Sequence, residues 1–382
     1  MTQTDYQIQI NQLFQNIETK EQLLELLNLA QVALFGDECS PIKLGSLTYY
    51  ANPTICKNRY ISFVVKKKSG SDRQINAPVR GLKHILRCLN YALHCVHYPH
   101  QSATGFAPGK SIVDNAKKHI DSRHVYNIDL KDFFHSFDRN RVKMAFMYSP
   151  FNLGKQKEPI AFLLACLCTH SLQIDGEMKL VLPQGSPTSP TLTNILCKQL
   201  DNRLLGLAKR FGCKYSRYAD DITFSANKNV FRDSVFLDEL TRIVEVNQNL
   251  KINPSKTRLQ SAGYKQEVTG LIVNEKVNVK KRYIKSLRMW LHYWEKYGYA
   301  KTSLIFAENY KADKVNSKNS PSLHYVLKGK LEFLKMVKGA NDATYLKLKD
   351  RFDQVLYLNK DIDSVLSVWE KDGIDRAMER YY

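Results

Sequence analysis

The chain has 382 residues, 43% of them hydrophobic, and a formal net charge of +20. No run of about 18 apolar residues occurs, which excludes a membrane-spanning helix, and the polar stretch Met1 to Ile10 lacks the apolar run of a secretory leader. The eight cysteines form no Cys-x-x-Cys pair and have no histidines at zinc spacing, so free thiols in a reducing cytoplasm are expected rather than a zinc site.

In chain order, residues 19–35 read as an amphipathic helix. Thr19 and Gln22 form a capping box, and Leu23, Leu26, Leu27, Ala30 and Leu34 share one face. Residues 60–78 read as a β-hairpin: Ile61, Phe63 and Val65 alternate, and Ser69-Gly70-Ser71-Asp72 turns the chain. A helix is expected over 79–96, a buried strand over 125–130, a buried helix over 162–168 and a helix over 192–211. Residues 215–225 read as strand, turn and strand, and 268–273 with 277–279 as a further hairpin. Beyond residue 280 helices are expected over 283–297, 323–337 (behind Ser320-Pro321) and 343–358.

Charge is unevenly spread. Residues 251–349 hold 21 Lys or Arg against 7 Asp or Glu, with aromatics such as Tyr283, Trp290, Tyr293 and Trp294 interleaved. Such a segment suits a nucleic-acid backbone, where basic groups release counterions and rings stack on bases. The last 33 residues reverse the sign, with 5 basic against 8 acidic, through Asp361, Asp363, Glu370, Asp372, Asp375 and Glu379 among others. That end is expected to contact a partner or to cap the helices before it.

Two adjacent acids, Asp220 and Asp221, lie between Lys214-Tyr215-Ser216-Arg217-Tyr218-Ala219 and Ile222-Thr223-Phe224-Ser225. Adjacent acids are unfavourable inside a strand. On a hairpin tip they concentrate negative charge that Mg²⁺, with its preference for carboxylate, phosphate and water oxygens, would neutralise. An ordinary Asp-Asp turn has the same residues, so their company decides the reading. Tyr126-Asn127-Ile128-Asp129-Leu130 places another acid at the end of a buried strand. Leu182-Pro183-Gln184-Gly185-Ser186-Pro187-Thr188-Ser189-Pro190 fixes an irregular backbone at the head of a helix, where free N–H groups face outward. Nucleotide polymerisation needs carboxylates from two strands to hold two metals about 3.5–4 Å apart.

These pieces resemble the palm motifs of reverse transcriptases, in order, across roughly residues 50–340. Two further features resemble the retron type: Asn115-Ala116-Lys117-Lys118-His119, within the block from Ala103-Thr104-Gly105-Phe106, and Val268-Thr269-Gly270. The resemblance implies an α+β right-hand polymerase with fingers, an antiparallel palm sheet with helices, and a mostly helical basic thumb. The corresponding segments are an N-terminal helical segment at 1–45, fingers at 46–125, palm at 126–278, thumb at 279–345 and a helical extension at 346–382.

The resemblance also implies roles. Asp129, Asp220 and Asp221 would hold two Mg²⁺ ions, with Mn²⁺ as a substitute. Lys66 and Arg73 would grip the triphosphate, although Lys66, Lys67 and Lys68 are not distinguished by sequence. Phe133 would abut the sugar and exclude a 2′-hydroxyl, Gln184 would touch nucleotide or template, and Lys256 would stand near the leaving pyrophosphate. Asn115, His119, Val268, Thr269, Gly270, Arg282, Lys285 and Arg288 would serve primer or RNA. Leu327-Lys328-Gly329-Lys330-Leu331-Glu332-Phe333 resembles the thumb helix.

A retron enzyme implies a cognate structured non-coding RNA, primed from a 2′-hydroxyl of a guanosine and copied into branched RNA-linked DNA. It also implies dNTPs, a separate effector protein, host RNase H and a role in anti-phage defence in the cytoplasm. The alternatives are a group II intron-like reverse transcriptase and a catalytically silent RNA-binding protein on the same fold. An intron enzyme would carry maturase and nuclease regions after the thumb, for which the sequence leaves no room. The intact acids disfavour a silent fold, and Phe133 disfavours RNA-templated RNA synthesis.

Overall fold

The computed structural model describes residues 2–66, 70, 72–313, 320–373 and 376. Contacts divide the chain into two units, Met1–Tyr264 and Lys265–Tyr382.

Helices α1 (Gln3–Asn16), α2 (Lys20–Phe35) and α3 (Leu44–Ala51) open the first unit. The expected capping box starts α2: the Gln22 N–H donates to Thr19 Oγ1 at 3.3 Å, and the Thr19 N–H donates to Gln22 Oε1 at 3.1 Å. Leu23, Leu26, Leu27 and Ala30 are buried, but Leu34 near the end of the helix is 36% exposed. Strands β1 (Tyr60–Lys66) and β2 (Asp72–Pro78) form the expected hairpin, with Phe63 opposite Ile75 and Lys66 opposite Asp72. Its turn, with Lys67, Lys68, Ser69 and Ser71, lies outside the described residues. Helix α4 (Arg80–Val96) follows and packs on α1 and α2 through Leu82, Leu86, Leu89 and Leu93.

The short α5 (Ile112–Lys117) precedes β3 (His124–Lys131), which is central to the main sheet. Helices α6 (Arg139–Met147) and α7 (Glu158–Cys168) and the hairpin of β4 (His170–Ile174) with β5 (Glu177–Val181) come next. The helix expected over 192–211 is two: α8 (Ser189–Leu196) and α9 (Lys198–Arg210), broken at Cys197, whose ψ of 1° leaves the helical range. The break lets each helix deliver a polar residue, Asn194 and Asp201, to the same buried arginine, Arg217.

Strands β6 (Lys214–Tyr218) and β7 (Asp221–Ala226) follow, then α10 (Ser234–Thr241), β8 (Lys251–Ile252) and β9 (Arg258–Ser261). The sheet order is β6-β7-β3, with β8 and β9 both on the other edge of β3, every pairing antiparallel. Ile128, Leu130, Ile222, Phe224 and Tyr215 join the core with Leu200 and Leu204 of α9. Burying these apolar faces together stabilises the sheet at roughly 25 cal/mol per Å² of apolar surface.

In the second unit the hairpin is tighter than the sequence suggested. β10 (Glu267–Val268) pairs with β11 (Leu271–Ile272), and the turn falls on Thr269 and Gly270, both left-handed at φ 47° and 88°. Two such residues in succession suit a two-residue hairpin loop. The 277–279 segment contributes only a bridge between Asn278 and Ile272. Contacts thus place this hairpin with the C-terminal helices rather than with the main sheet. Helix α11 (Lys281–Asp313) is interrupted at Gly298 (φ 74°), close to the expected end at 297. α12 (Leu323–Lys338) and α13 (Ala343–Asp372) pack on it around Leu287, Leu291, Trp294, Leu327, Leu331 and Phe352. Asp375 and Glu379 lie outside the described residues. All eight cysteines are unpaired. No helix among the described residues is long and apolar enough to cross a membrane.

Candidate active site

The three acids meet at one end of the main sheet. Asp129 and Asp221 are directly opposed across β3 and β7, and Tyr218 pairs with Asp221 to close a two-residue turn over Ala219 and Asp220. Ala219 is left-handed at φ 57°. A residue with a Cβ disfavours that conformation by about 1–2 kcal/mol, so the turn must be held from outside. Two bonds hold it: Arg217 Nη1 donates to Ala219 O at 3.1 Å, and the Leu130 N–H donates to Asp220 O at 3.1 Å.

Clustering the acids has an electrostatic cost. Burial, then the charge of Asp129, raises the Asp220 pKa, while Lys256 and Arg73 pull it back. Asp221 rises to about 6 through desolvation and then repulsion from Asp220 and Asp129. Its side chain keeps an open face to solvent, which gives the neighbouring carboxylates the greater weight among those causes. Asp129 is compensated locally. Lys256 Nζ lies 3.0 and 2.9 Å from its two carboxylate oxygens, and Asn253 Nδ2 donates to Oδ2 at 3.0 Å.

The donor set fits a hard divalent cation: two carboxylates opposed on adjoining strands and a third on the turn beside them, two of the three with raised pKa values. The side chains are not converged as a finished metal cluster, and no group of three His, Cys, Asp or Glu among the described residues is. The Asp129 oxygens are turned onto the Lys256 ammonium and the Asn253 amide.

Beside these acids opens a pocket of about 320 Å³ lined by Asp129, Asp220, Arg73, Phe133, Gln184, Asn253 and Lys256, among others. Arg73 reaches it from β2. Gln184 is docked there by its own backbone, since the Asn76 N–H donates to Gln184 O at 2.8 Å. Gly185 makes that contact possible: at φ 122°, a Cβ would stand 2.7 Å from Asn76 O. Phe133 is buried, edge-on to Phe134 and Phe137, yet it also lines the pocket. Asp132, left-handed at φ 47°, bends the chain just before it. Lys66 ends β1 exposed and does not line this pocket, and Lys67 and Lys68 lie outside the described residues.

Other expectations need correction. Asn115 and His119 are completely buried, and both bond into the sheet, so neither side chain has surface to offer primer or RNA. Val268 is buried too, which leaves Thr269 and Gly270 as the accessible part of that turn. Arg282, Lys285 and Arg288 are exposed at helical spacing on α11. Sequence reasoning missed Asn253 as a partner of Asp129, Gly105 packed against the turn, and the Asp201–Arg217 pair. A residue three before Lys256 in Asn253-Pro254-Ser255-Lys256 was the available signal for Asn253. For the buried ion pair there was none.

A model of the family described as reverse transcriptase (RNA-dependent DNA polymerase) matches residues 65–295. The chain is 35% identical over 263 residues to the retron Mx65 reverse transcriptase of Myxococcus xanthus, covering 66% of this chain and 60% of that one. It is 38% identical to the retron Mx162 reverse transcriptase of the same organism, covering 56% and 47%. It is 34% identical to the retron Ec86 reverse transcriptase of Escherichia coli, covering 62% and 70%. The matches thus span 60% of the Mx65 relative's length and 47% of the Mx162 relative's.

Proposed function

The chain belongs to the reverse transcriptase family, and to its retron type, and from this we propose that it is an RNA-directed DNA polymerase copying part of a structured RNA into DNA. The observation that carries the reading is the pairing of Asp129 with Asp221, with Asp220 on the turn between strands, beside a pocket that also presents Arg73, Phe133 and Gln184. Asp129, Asp220 and Asp221 would hold two Mg²⁺ ions, or Mn²⁺ in their place. When bound, the metals supply Lewis-acid activation of the attacking hydroxyl and neutralise charge on the leaving pyrophosphate.

The chain's own residues do the rest. Arg73, with Lys66 at the end of the same hairpin, binds the triphosphate. Phe133, wedged by Phe134 and Phe137, walls off the sugar's 2′ side and selects dNTPs. Gln184 orients the nucleotide or its template base. Lys256, paired with Asp129 here, would be freed of that carboxylate were a metal bound to it, and its ammonium would then serve the pyrophosphate oxygens. In the second unit, Arg282, Lys285 and Arg288 take RNA phosphates, and the Thr269-Gly270 turn serves the primer end. The retron reading adds priming from a guanosine 2′-hydroxyl of the cognate RNA and a branched RNA-linked DNA product. Host RNase H, a separate effector protein and anti-phage defence complete that proposal.

The test is to purify RNA co-expressed with this protein from its native locus and look for covalently linked DNA, beside an Asp220→Ala, Asp221→Ala variant. DNA that survives RNase except for a branched remnant, and is absent from the variant, supports the reading. Extension of an annealed primer without linked DNA makes it a reverse transcriptase of another kind. Neither activity, with the RNA bound, makes it an RNA-binding protein on this fold.

A further inference from the structure

Asn115 and His119 are fully buried, and the chemistry proposed above uses neither. Their bonds lead to the strand that carries the catalytic turn. Asn115 Oδ1 accepts from Ser216 Oγ at 2.6 Å and from Thr104 Oγ1 at 2.8 Å. His119 Nε2 lies 2.7 Å from Ser216 Oγ, and its Nδ1 lies 2.8 Å from Ser225 Oγ. The imidazole therefore spans β6 and β7, the two strands on either side of Ala219-Asp220. Ser122 Oγ closes the far end of the chain by donating to Ser225 Oγ at 3.2 Å.

The backbone repeats the connection. The Thr104 N–H donates to Arg217 O at 2.8 Å and the Arg217 N–H donates to Ser102 O at 2.9 Å, so residues 102–104 lie along β6 as an added edge. The next residue, Gly105, rests against the turn itself: a Cβ there would stand 2.5 Å from Ala219 N and 2.9 Å from Tyr218 C. Asn194 on α8 donates to Gly105 O at 2.9 Å and accepts from Arg217 Nη2 at 3.1 Å. Arg217 thus serves both, since its backbone pairs with residues 102–104 and its guanidinium donates to Ala219 O.

We infer that Asn115 and His119 are positioning residues for the catalytic turn: through Thr104 and Ser216 they clamp the 102–105 segment onto β6 and thereby fix the left-handed Ala219 and the direction of Asp220. A polar clamp suits this task because hydrogen bonds have direction, whereas apolar packing at the same sites would tolerate sliding. The inference rests on the reading of Asp220 as a metal carboxylate, and its test separates the two.

The variants are Asn115→Ala and Ser216→Ala, with Ser122→Ala, at the opposite end of the same chain of bonds, as control. Mn²⁺ binding to the full-length protein without nucleotide is followed by electron paramagnetic resonance, and single-nucleotide incorporation is followed in parallel. The expected result is at least a five-fold weakening of Mn²⁺ binding for Asn115→Ala and Ser216→Ala, with kcat down ten-fold or more and the dNTP KM within two-fold. Ser122→Ala should leave all three unchanged, even if its melting temperature drops as far. Equal Mn²⁺ affinity and kcat in all variants, with only melting temperatures lowered, overturns the inference and makes the network plain core. Loss of RNA binding alone, with Mn²⁺ affinity intact, overturns it in favour of a network that supports an RNA-binding surface rather than the turn. If the unaltered protein binds Mn²⁺ but makes no DNA, the polymerase reading fails while the Mn²⁺ comparison still decides the clamp.

Discussion

Lys256 Nζ stands 3.0 and 2.9 Å from the two carboxylate oxygens of Asp129. An ammonium group thus holds the acid that metal chemistry would require, and it is the only cation bonded to Asp129 among the described residues. The lysine side chain is 57% exposed, so water screens the pair and the lysine is free to swing away. Exposed pairs of this kind contribute about 0–1 kcal/mol. The contact therefore orients the Asp129 carboxylate at little energetic cost to break, and it would yield to a cation bound at that acid.

Removing the ammonium should accordingly help the metal and hurt the reaction. Lys256→Ala is expected to tighten Mn²⁺ binding in the absence of nucleotide by about two- to five-fold, the equivalent of losing a weak competing pair. Nucleotide incorporation by the same variant should slow. Unchanged or weaker Mn²⁺ affinity, measured by titration against the unaltered protein, would show that lysine and metal do not compete.

Two glycines make opposite predictions. A Cβ on Gly105 meets backbone atoms of Tyr218 and Ala219 at 2.9 and 2.5 Å, and backbone cannot rotate away as a side chain can. Gly105→Ala should displace the turn and reduce DNA synthesis by two orders of magnitude or more, an outcome far beyond its effect on folding. Gly206 lies in α9 with nothing within 4 Å of its added Cβ. Gly206→Ala should stabilise the protein by about 0.5–1 kcal/mol through helix propensity and leave synthesis intact. Thermal melts of both variants, paired with primer extension, check this; an active Gly105→Ala would refute the close-packing argument.

Much of this arrangement is written locally. Asp220 and Asp221 are legible because adjacent acids have no place inside a strand, and the box of Thr19 and Gln22 marks the start of α2 as found. The left-handed backbone of Thr269 and Gly270 is local as well, yet the alternation around Val268 to Val279 suggested a longer hairpin than the one formed. What the sequence hides is pairing across distance. Asn115 lies in α5 and His119 two residues beyond its end, and only the packing of residues 102–104 along β6 decides that both are interior. Asp201 sits between Leu200 and Asn202 in a helix rich in basic residues and reads as solvated; its burial depends on where β6 crosses α9.

That hidden pair has a measurable signature. Arg217 and Asp201 are both fully buried, joined by two bonds of 2.8 and 2.7 Å, and Tyr215 Oη adds a third to Asp201 at 2.7 Å. Removing one partner strands a charge in the core, so Asp201→Ala should cost about 3–5 kcal/mol in chemical denaturation. Replacing both, as Asp201→Leu with Arg217→Met, should recover much of that stability, because the expense lies in the unpaired charge. DNA synthesis should not return in the double variant, since the bond from Arg217 to Ala219 O is also lost. A double variant no more stable than Asp201→Ala would count against the pair as the source of the cost.

His119 makes stability depend on pH with a definite sign. Burial, and secondarily the charges of Lys214 and Lys118, lower its pKa to about 3, whereas the unfolded chain protonates near 6.5. Between those values the unfolded state binds a proton that the folded state refuses. Stability is therefore fully present above about 6.5 and falls as the pH drops toward 3, by roughly 1.4 kcal/mol per pH unit. His97 and His170, both lowered to about 4 by burial, act in the same direction, while the raised Asp220 and Asp221 oppose them. Comparison with His119→Gln isolates the one group. Going from pH 6.5 to 5.0, the unaltered protein should lose about 2 kcal/mol more than the variant in urea titrations. Nuclear magnetic resonance of the His119 ring should show it neutral throughout that range; a ring that takes up a proton near pH 6 in the folded protein would contradict its place between Ser216 and Ser225.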